Sequence, residues 1–190
     1  KAALIEAMRT AAATTNVDQH TAEAKLRFVQ LALARGADPN CPCEVNGLRP
    51  ETATKEMTTL SIVSTEAAYF SPRVIDLLIK RGARVDCTQS KITNSTYNRT
   101  EICRYSPLAC AILYAPRFKT QHLAVAHALL RGGASLDSAA MVTVENANGA
   151  SSRSVPIEWV LQKRERRAPS LANNPGYLAL KAFLHSVRAA

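Results

Sequence analysis

"LLIKRGARVD" (residues 77–86) decides the fold, because near copies of this stretch occur twice more in the chain. The copies read "LALARGADPN" at 31–40 and "ALLRGGASLD" at 128–137. In each copy, apolar residues precede a basic residue and a glycine. A cation in the last turn of a helix is favoured by the helix dipole, and glycine readily adopts the left-handed conformation that ends a helix. We therefore expect equivalent helices to end at Gly36, Gly82 and Gly133.

A second recurring motif marks the start of another helix. In "SPLACAIL" (106–113), Ser106 is suited to the N-cap position and Pro107 to the first helical position. Weaker versions are "TTLSIV" at 58–63 and "SVPIEWVL" at 154–161. The chain therefore repeats a unit of helix, turn, helix and loop.

These motifs together resemble the ankyrin repeats. The resemblance rests on the loop starts "GADPN", "GARVD" and "GASLD", on the helix ending "LLIKRG", and on "SPLACA", which matches the family's Thr-Pro-Leu-His-x-Ala opening. The chain departs from the family in two respects. Its glycines lie 46 and 51 residues apart rather than about 33, and Ala109 occupies the position of the family's His. The first and last units each lack one motif, as expected of terminal caps.

The resemblance implies an all-α fold, an ankyrin-like solenoid of helical hairpins with β-hairpin finger loops. We expect one domain over residues 1–190, built from about four units. The units span approximately 1–40, 41–86, 87–137 and 138–190. The predicted helices span 2–13, 21–35, 59–69, 72–81, 107–114, 120–132, 156–166 and 175–188.

The added length of the repeats falls in the loops at 41–57, 87–104 and 138–154. In the last loop, Val142 and Val144 alternate with polar residues before Asn148-Gly149, which is a strong signal for a hairpin turn. "CEVNGLR" repeats this pattern, and "KITNSTYNRTEICRY" is polar and β-branched, which predicts a longer, partly extended finger. Long loops on a rigid scaffold are typical of binding sites. The alternative is that they are tolerated insertions, because loop length costs little free energy.

The five cysteines leave three alternatives open. Cys110 lies inside a predicted helix and is expected to be a small buried apolar residue. Cys41, Cys43, Cys87 and Cys103 lie in loops. They could be free thiols, they could include a Cys87–Cys103 disulfide at the base of one finger, or they could form a four-thiolate zinc site. The zinc alternative is the weakest, because the two C-x-x-C pairs of such sites are missing.

No pattern in the sequence indicates catalysis or a cofactor. Phosphate-loop, H-E-x-x-H and nucleophile-elbow motifs do not occur. His122 and His127 are five residues apart, so they do not share a helix face as a ligand pair would. We therefore expect no enzyme activity, no bound cofactor and no metal.

The positive charge is concentrated in the second half of the chain. Residues 104–190 carry 11 Lys and Arg against 4 Asp and Glu, whereas residues 1–103 carry 13 against 11. The densest run is "KRERR", which contains Lys163, Arg164, Arg166 and Arg167. This run is either a patch that binds phosphate or acidic groups or simply a solvated helix end. Trp159, just before it, is expected in the core.

The ankyrin resemblance implies a monomeric, non-enzymatic module that binds another protein. Its partners would contact the residues after each Gly-Ala, the finger tips and polar positions near Thr58, Tyr105 and Ser154. The Asp and Asn side chains among these residues could instead only fix loop geometry through local hydrogen bonds. The predicted contact residues are Asp38, Asn40, Asn46, Arg84, Asp86, Tyr97, Tyr105, Ser135, Asp137 and Asn148.

Two biological settings fit this interpretation. One is a secreted effector that binds a host protein, favoured by the loop cysteines, by the start without Met and by two glycosylation patterns at Asn94 and Asn98. The other is an intracellular adaptor, or a subunit of a large assembly, whose basic half contacts nucleic acid or an acidic partner. No apolar run approaches the roughly 20 residues needed to cross a bilayer, so no membrane insertion is expected.

Overall fold

The computed structural model describes residues 19–41, 43–44, 53–65, 70, 72–86, 90–96, 99–115 and 118–189. The helices are α1 (Gln19–Ala34), α2 (Thr59–Thr65), α3 (Pro72–Lys80), α4 (Pro107–Tyr114), α5 (Thr120–Arg131), α6 (Ile157–Arg167) and α7 (Pro175–Ala189), with a 3₁₀ turn at Pro169–Asn173. The strands are β1 (Cys43–Glu44), β2 (Ala53–Met57), β3 (Ser90–Thr96), β4 (Arg99–Tyr105), β5 (Ala140–Asn146) and β6 (Gly149–Val155).

The prediction of an all-α fold is wrong, because the described residues form a mixed α/β structure. Its strands make one six-stranded antiparallel sheet in the order β1-β2-β3-β4-β5-β6. Within that sheet, β2 pairs with β3 of the next finger, and β4 pairs with β5 in the same way. The fingers are therefore not separate hairpins, because each one forms backbone hydrogen bonds with the edge strand of its neighbour.

The helix positions follow the sequence pattern closely. Six of the predicted helices begin and end within two residues of α1, α3, α4, α5, α6 and α7. The helix predicted at 59–69 is described only as far as Thr65, and the one predicted at 2–13 lies outside the described residues. As predicted, Ser106 caps α4, where its Oγ accepts a hydrogen bond of 3.2 Å from the amide of Ala109. Cys110 is fully buried in the same helix.

The repeated Gly-Ala motif forms the same structure each time. At the end of α3, the amide of Gly82 donates to the carbonyl of Ile79 at 3.0 Å, and the amide of Ala83 donates to that of Leu78 at 2.9 Å. This pair of hydrogen bonds satisfies carbonyls that a helix end leaves without intrahelical partners. The glycines adopt the left-handed conformation that we predicted, with φ of 82° at Gly36, 86° at Gly82 and 94° at Gly133.

The helices form two layers that position the sheet. In one layer α2 packs on α4 and α4 on α6, while α3, α5 and α7 pack in succession in the other. The second strand of each finger leads directly into a helix of the first layer. The last residues of these strands, Met57, Tyr105 and Val155, are all buried, so the base of the sheet is continuous with the helical core. Among the described residues, no helix is both long enough and apolar enough to cross a bilayer.

The predicted hairpin at residues 141–155 is confirmed. Its strands β5 and β6 pair from Ala140 opposite Val155 to Asn146 opposite Gly149. Gly149 has a φ of 120°, a value that residues with a side chain rarely adopt. The longer finger is a regular hairpin of β3 and β4. The first finger contributes β1 and β2, whereas its predicted turn at Asn46-Gly47 lies outside the described residues.

Candidate functional site

A groove of about 530 Å³ lies between α6 and the partly buried Glu101 of β4. We call it the Trp159 groove. Its lining combines one large aromatic ring with cationic and polar side chains. The lining residues are Glu101, Trp159, Gln162, Lys163, Arg166 and Arg167.

Helix α6 positions most of this lining through its periodicity. Trp159, Gln162, Lys163 and Arg166 follow the spacing i, i+3, i+4 and i+7, which places side chains on one face of a helix. The adjacent face carries Ile157, Val160 and Leu161, which are buried in the core. The apolar face thus anchors α6 and directs the polar face towards β4.

The floor of the groove is a polar contact between α6 and β4. The Lys163 ammonium lies 3.7 Å from a carboxylate oxygen of Glu101 and donates a hydrogen bond of 3.0 Å to the Tyr105 hydroxyl. It also lies 4.0 Å from the Cys103 sulfur. Alternate residues of a strand point to the same face of a sheet, so one lysine contacts three successive β4 side chains on that face.

Burial controls the ionisation of these groups. Desolvation lowers the pKa of Lys163, and the neighbouring Glu101 carboxylate partly offsets this shift. Burial also raises the pKa of the Cys103 thiol, so the thiol stays protonated at neutral pH. Desolvation raises the pKa of Tyr105 far above its usual range. A protonated, fully buried thiol is a poor nucleophile, so the cluster is suited to holding β4 on α6 rather than to covalent chemistry.

The Lys163 ammonium lies between the Trp159 ring on the groove and the buried Tyr105 ring beneath it. The Lys163 ammonium lies 4.5 Å from the centre of the Trp159 ring and 5.7 Å from that of Tyr105. The Tyr105 and Tyr114 rings meet edge to face, with their centres 6.1 Å apart. Cations over aromatic faces are attracted by the ring quadrupole, so these contacts fix the ring of Trp159. The expectation that Trp159 belongs to the core is only partly met, because its ring is half-buried and lines the groove.

The predicted basic patch divides into two parts with different roles. Arg164 points away from the groove and donates hydrogen bonds of 2.9 Å to the carbonyls of Leu113 and Ala115. Arg166 and Arg167 are exposed and line the groove together with Lys163. The run is therefore neither only a solvated helix end nor only an anion-binding patch, because Arg164 binds backbone carbonyls while Arg166 and Arg167 line the groove.

The loop residue Asn40 connects two neighbouring units. Its side-chain amide donates a hydrogen bond of 2.8 Å to the carbonyl of Gly82, and its side-chain oxygen accepts one of 2.8 Å from the amide of Arg84. The Asp38 carboxylate in turn accepts a hydrogen bond of 2.9 Å from the backbone amide of Asn40. Both side chains thus fix loop geometry, which was the alternative to partner binding.

The other predicted contact residues in the loops are used in a similar way. The Ser135 hydroxyl accepts hydrogen bonds of 3.2 Å from the amides of Asp137 and Ser138. Arg84 pairs with Asp86 at 2.6 Å, and Asp137 pairs with Arg188 of α7 at 3.3 Å. Asn148 lies in the turn between β5 and β6, where its backbone amide donates a hydrogen bond to the side-chain oxygen of Asn146. Asn46 and Tyr97 lie outside the described residues.

Three predicted positions lie where strands lead into helices. Tyr105 is only 2% exposed and Thr58 is equally buried. Burial takes both side chains away from the surface. The Thr58 hydroxyl instead accepts a hydrogen bond from the amide of Ser61, and the Tyr105 hydroxyl accepts one from Lys163. Ser154 is exposed, and its hydroxyl lies 2.8 Å from that of Ser138.

Three cysteines, Cys41, Cys103 and Cys110, form no disulfide in the described part of the chain. Cys103 is a thiol that is fully buried beneath the groove. Cys87, the other residue of the disulfide alternative, lies outside the described residues. Cys110 is buried inside α4, whereas Cys41 is partly exposed at the start of its loop. Within the described part of the chain, no three His, Cys, Asp or Glu residues cluster so as to hold a metal ion.

Comparisons with protein-family models, with curated proteins and with solved structures give no significant match to this chain. Sequence reasoning missed Glu101 and Gln162 as lining residues and placed Trp159 in the core. The i, i+3, i+4, i+7 spacing of α6 was the available signal, but it does not say which face meets a strand.

Proposed function

We propose that this chain is a non-enzymatic module that binds another protein in the Trp159 groove. The observation that carries the proposal is the groove itself, which combines a half-buried tryptophan with exposed arginines on a rigid helix. Tryptophan and arginine are among the residues most enriched at the positions that dominate binding energy at protein interfaces. The repeated helix ends add support, because they are the feature on which the resemblance to ankyrin repeats rests.

The electrostatics of the groove favour a protein over nucleic acid as the partner. Of the four cations in the "KRERR" run, Arg164 binds backbone carbonyls and Lys163 is paired with Glu101. Two exposed arginines remain on the groove. Binding to a nucleic acid backbone usually needs a longer basic stripe that neutralises several phosphates.

Site-specific photo-crosslinking tests the proposal. A photoreactive phenylalanine analogue replaces Gln162 in the groove or, as the control, the exposed Gln121 on α5. We expect the analogue at position 162 to form an adduct with one defined protein from the source cells, and the analogue at position 121 to form none with it. Equal adducts at both positions, or none at position 162, would overturn the proposal.

A further inference from the structure

We propose that the Trp159 groove recognises a short acidic segment of its partner, with carboxylates on Arg166 and Arg167 and an apolar side chain against Trp159. This inference rests on the proposed function and specifies the chemistry of the partner. It starts from an imbalance of charge, because the groove lining carries three cations and one carboxylate.

The carboxylate of Glu101 and the ammonium of Lys163 largely satisfy one another. They lie 3.7 Å apart, with 30% and 19% of their side chains exposed. Desolvation also lowers the pKa of Lys163, so this cation is the less available one for an outside anion. The positive field at the groove opening therefore comes from Arg166 and Arg167.

Guanidinium groups match carboxylates in geometry. A planar guanidinium can donate two parallel hydrogen bonds to one carboxylate, an arrangement that an ammonium cannot form. Arg166 is exposed and forms no salt bridge within the described part of the chain. Arg167 is also exposed and lies against the Tyr114 hydroxyl, which orients it beside the groove.

The Glu101 carboxylate argues for a peptide over a polyphosphate chain. Its side chain is 30% exposed on the groove floor, where it would repel phosphates that follow one another at close spacing. A peptide can place an apolar residue between two acidic ones and so avoid this contact. The apolar residue then packs on Trp159, whose ring is already held by Lys163.

Tryptophan fluorescence provides a direct test, because Trp159 is the only tryptophan of the chain. The probe is a synthetic peptide with two Glu on either side of one Leu, and its counterpart carries Lys at each Glu position. We expect the Glu peptide to change Trp159 emission in a saturable manner that weakens with added salt. The Lys peptide should leave the emission unchanged.

The double variant Arg166→Gln/Arg167→Gln should bind the Glu peptide about tenfold more weakly, because a tenfold change is about 1.4 kcal/mol, or about 0.7 kcal/mol for each of two exposed charge pairs. The control variant Arg27→Gln/Arg35→Gln removes the same charge from exposed positions at the other end of the chain. It should bind as the wild type does. Circular dichroism confirms that both variants remain folded.

Three results would overturn the inference: equal responses to both peptides, equal weakening in both double variants, or tighter binding of a single-stranded oligonucleotide than of the Glu peptide. The proposed function fails separately. If the crosslinker at position 162 traps a protein but the Glu peptide does not bind, only the acidic segment is excluded. If both experiments fail, the groove is not a protein-binding site.

Discussion

The guanidinium group of Arg164 donates a hydrogen bond of 2.9 Å to the backbone carbonyl of Leu113. A second bond of 2.9 Å reaches the carbonyl of Ala115. Both carbonyls belong to the end of α4, where backbone acceptors have no intrahelical donor. Leu113 and Ala115 are each only 1% exposed, so water is a poor substitute partner. An arginine from a run that looks solvated in the sequence therefore caps a neighbouring helix.

The first prediction concerns the loss of this cap. Arg164→Ala should lower the free energy of unfolding by about 2–3 kcal/mol, because a buried acceptor left unsatisfied costs about 1–3 kcal/mol. Urea denaturation followed by circular dichroism measures the change. Arg164→Lys should recover only part of the loss, since an ammonium lacks the fork that reaches two carbonyls.

Arg166→Ala serves as the matched control for this prediction. The residue lies on the same helix and is exposed, so its loss should change the free energy of unfolding by no more than about 0.5 kcal/mol. Equal destabilisation by the two alanine variants would show that Arg164 acts only through its charge.

The second prediction concerns the contact between units at Asn40. Asn40→Ala removes the donor to Gly82 and the acceptor for Arg84, which should cost about 1–2 kcal/mol of unfolding free energy at this exposed site. The unfolding free energy of Asn40→Asp should fall between those of Asn40→Ala and the wild type, because Asp keeps the acceptor for Arg84 but loses the donor to Gly82. Asn173→Ala, an exposed site in the 3₁₀ turn, is the control and should stay near the wild type. A cost of Asn40→Ala no larger than that of the control would contradict the link.

The third prediction isolates backbone conformation at Gly82. A Cβ atom added there meets nothing within 4 Å, but φ is 86°. Gly82→Ala should therefore destabilise the protein by about 1–2 kcal/mol through left-handed strain alone. Gly82→Asn should cost less, because Asn tolerates this region better than Ala. Thermal unfolding of both variants measures which one is less stable. A smaller loss of stability in Gly82→Ala than in Gly82→Asn would contradict the prediction.

The helix ends were predictable from sequence because their causes are local. A glycine such as Gly82 ends its helix through hydrogen bonds to residues only three to five positions earlier, and Ser106 caps through an amide three residues later. The sheet was not predictable in the same way. The pairing of Cys103 with Val142 joins residues of different fingers. The sequence pattern of one hairpin does not indicate that its edge strand pairs with a second hairpin.

The candidate site likewise combines a feature that is visible in the sequence with contacts that depend on distant segments. The basic run at Lys163 to Arg167 was visible in the sequence, yet its members separate according to which face of α6 each one occupies. Arg164 and Lys163 acquire partners from α4 and β4, which lie about 50 to 60 positions earlier in the chain. Such partners follow from packing and not from spacing. The loop residues that look free in the sequence, such as Asn40, are likewise engaged by a neighbouring unit.

The last prediction concerns the alkaline limit of stability. Desolvation raises the pKa values of Tyr105, Tyr114 and Tyr177 above the range of a solvated phenol. The unfolded chain loses these protons near pH 10, whereas the folded chain keeps them. Their contribution to stability is therefore complete below about pH 10 and is lost as the pH rises further. Lys163 has the opposite sign, because its lowered pKa makes stability rise with pH until the unfolded lysine is itself neutral.

A spectrophotometric titration of tyrosinate, together with circular dichroism, tests this prediction. Tyr105, Tyr114 and Tyr177 should ionise only as the protein unfolds, because a desolvated phenolate has too little solvent around it to stabilise its charge. In Tyr105→Phe, the ionisation step that accompanies unfolding should be smaller by one tyrosine than in the wild type. Reversible ionisation of these tyrosines near pH 10 in the folded protein would show that water reaches the rings beneath the groove, and would remove the physical basis for a rigid Lys163 and Trp159 above them.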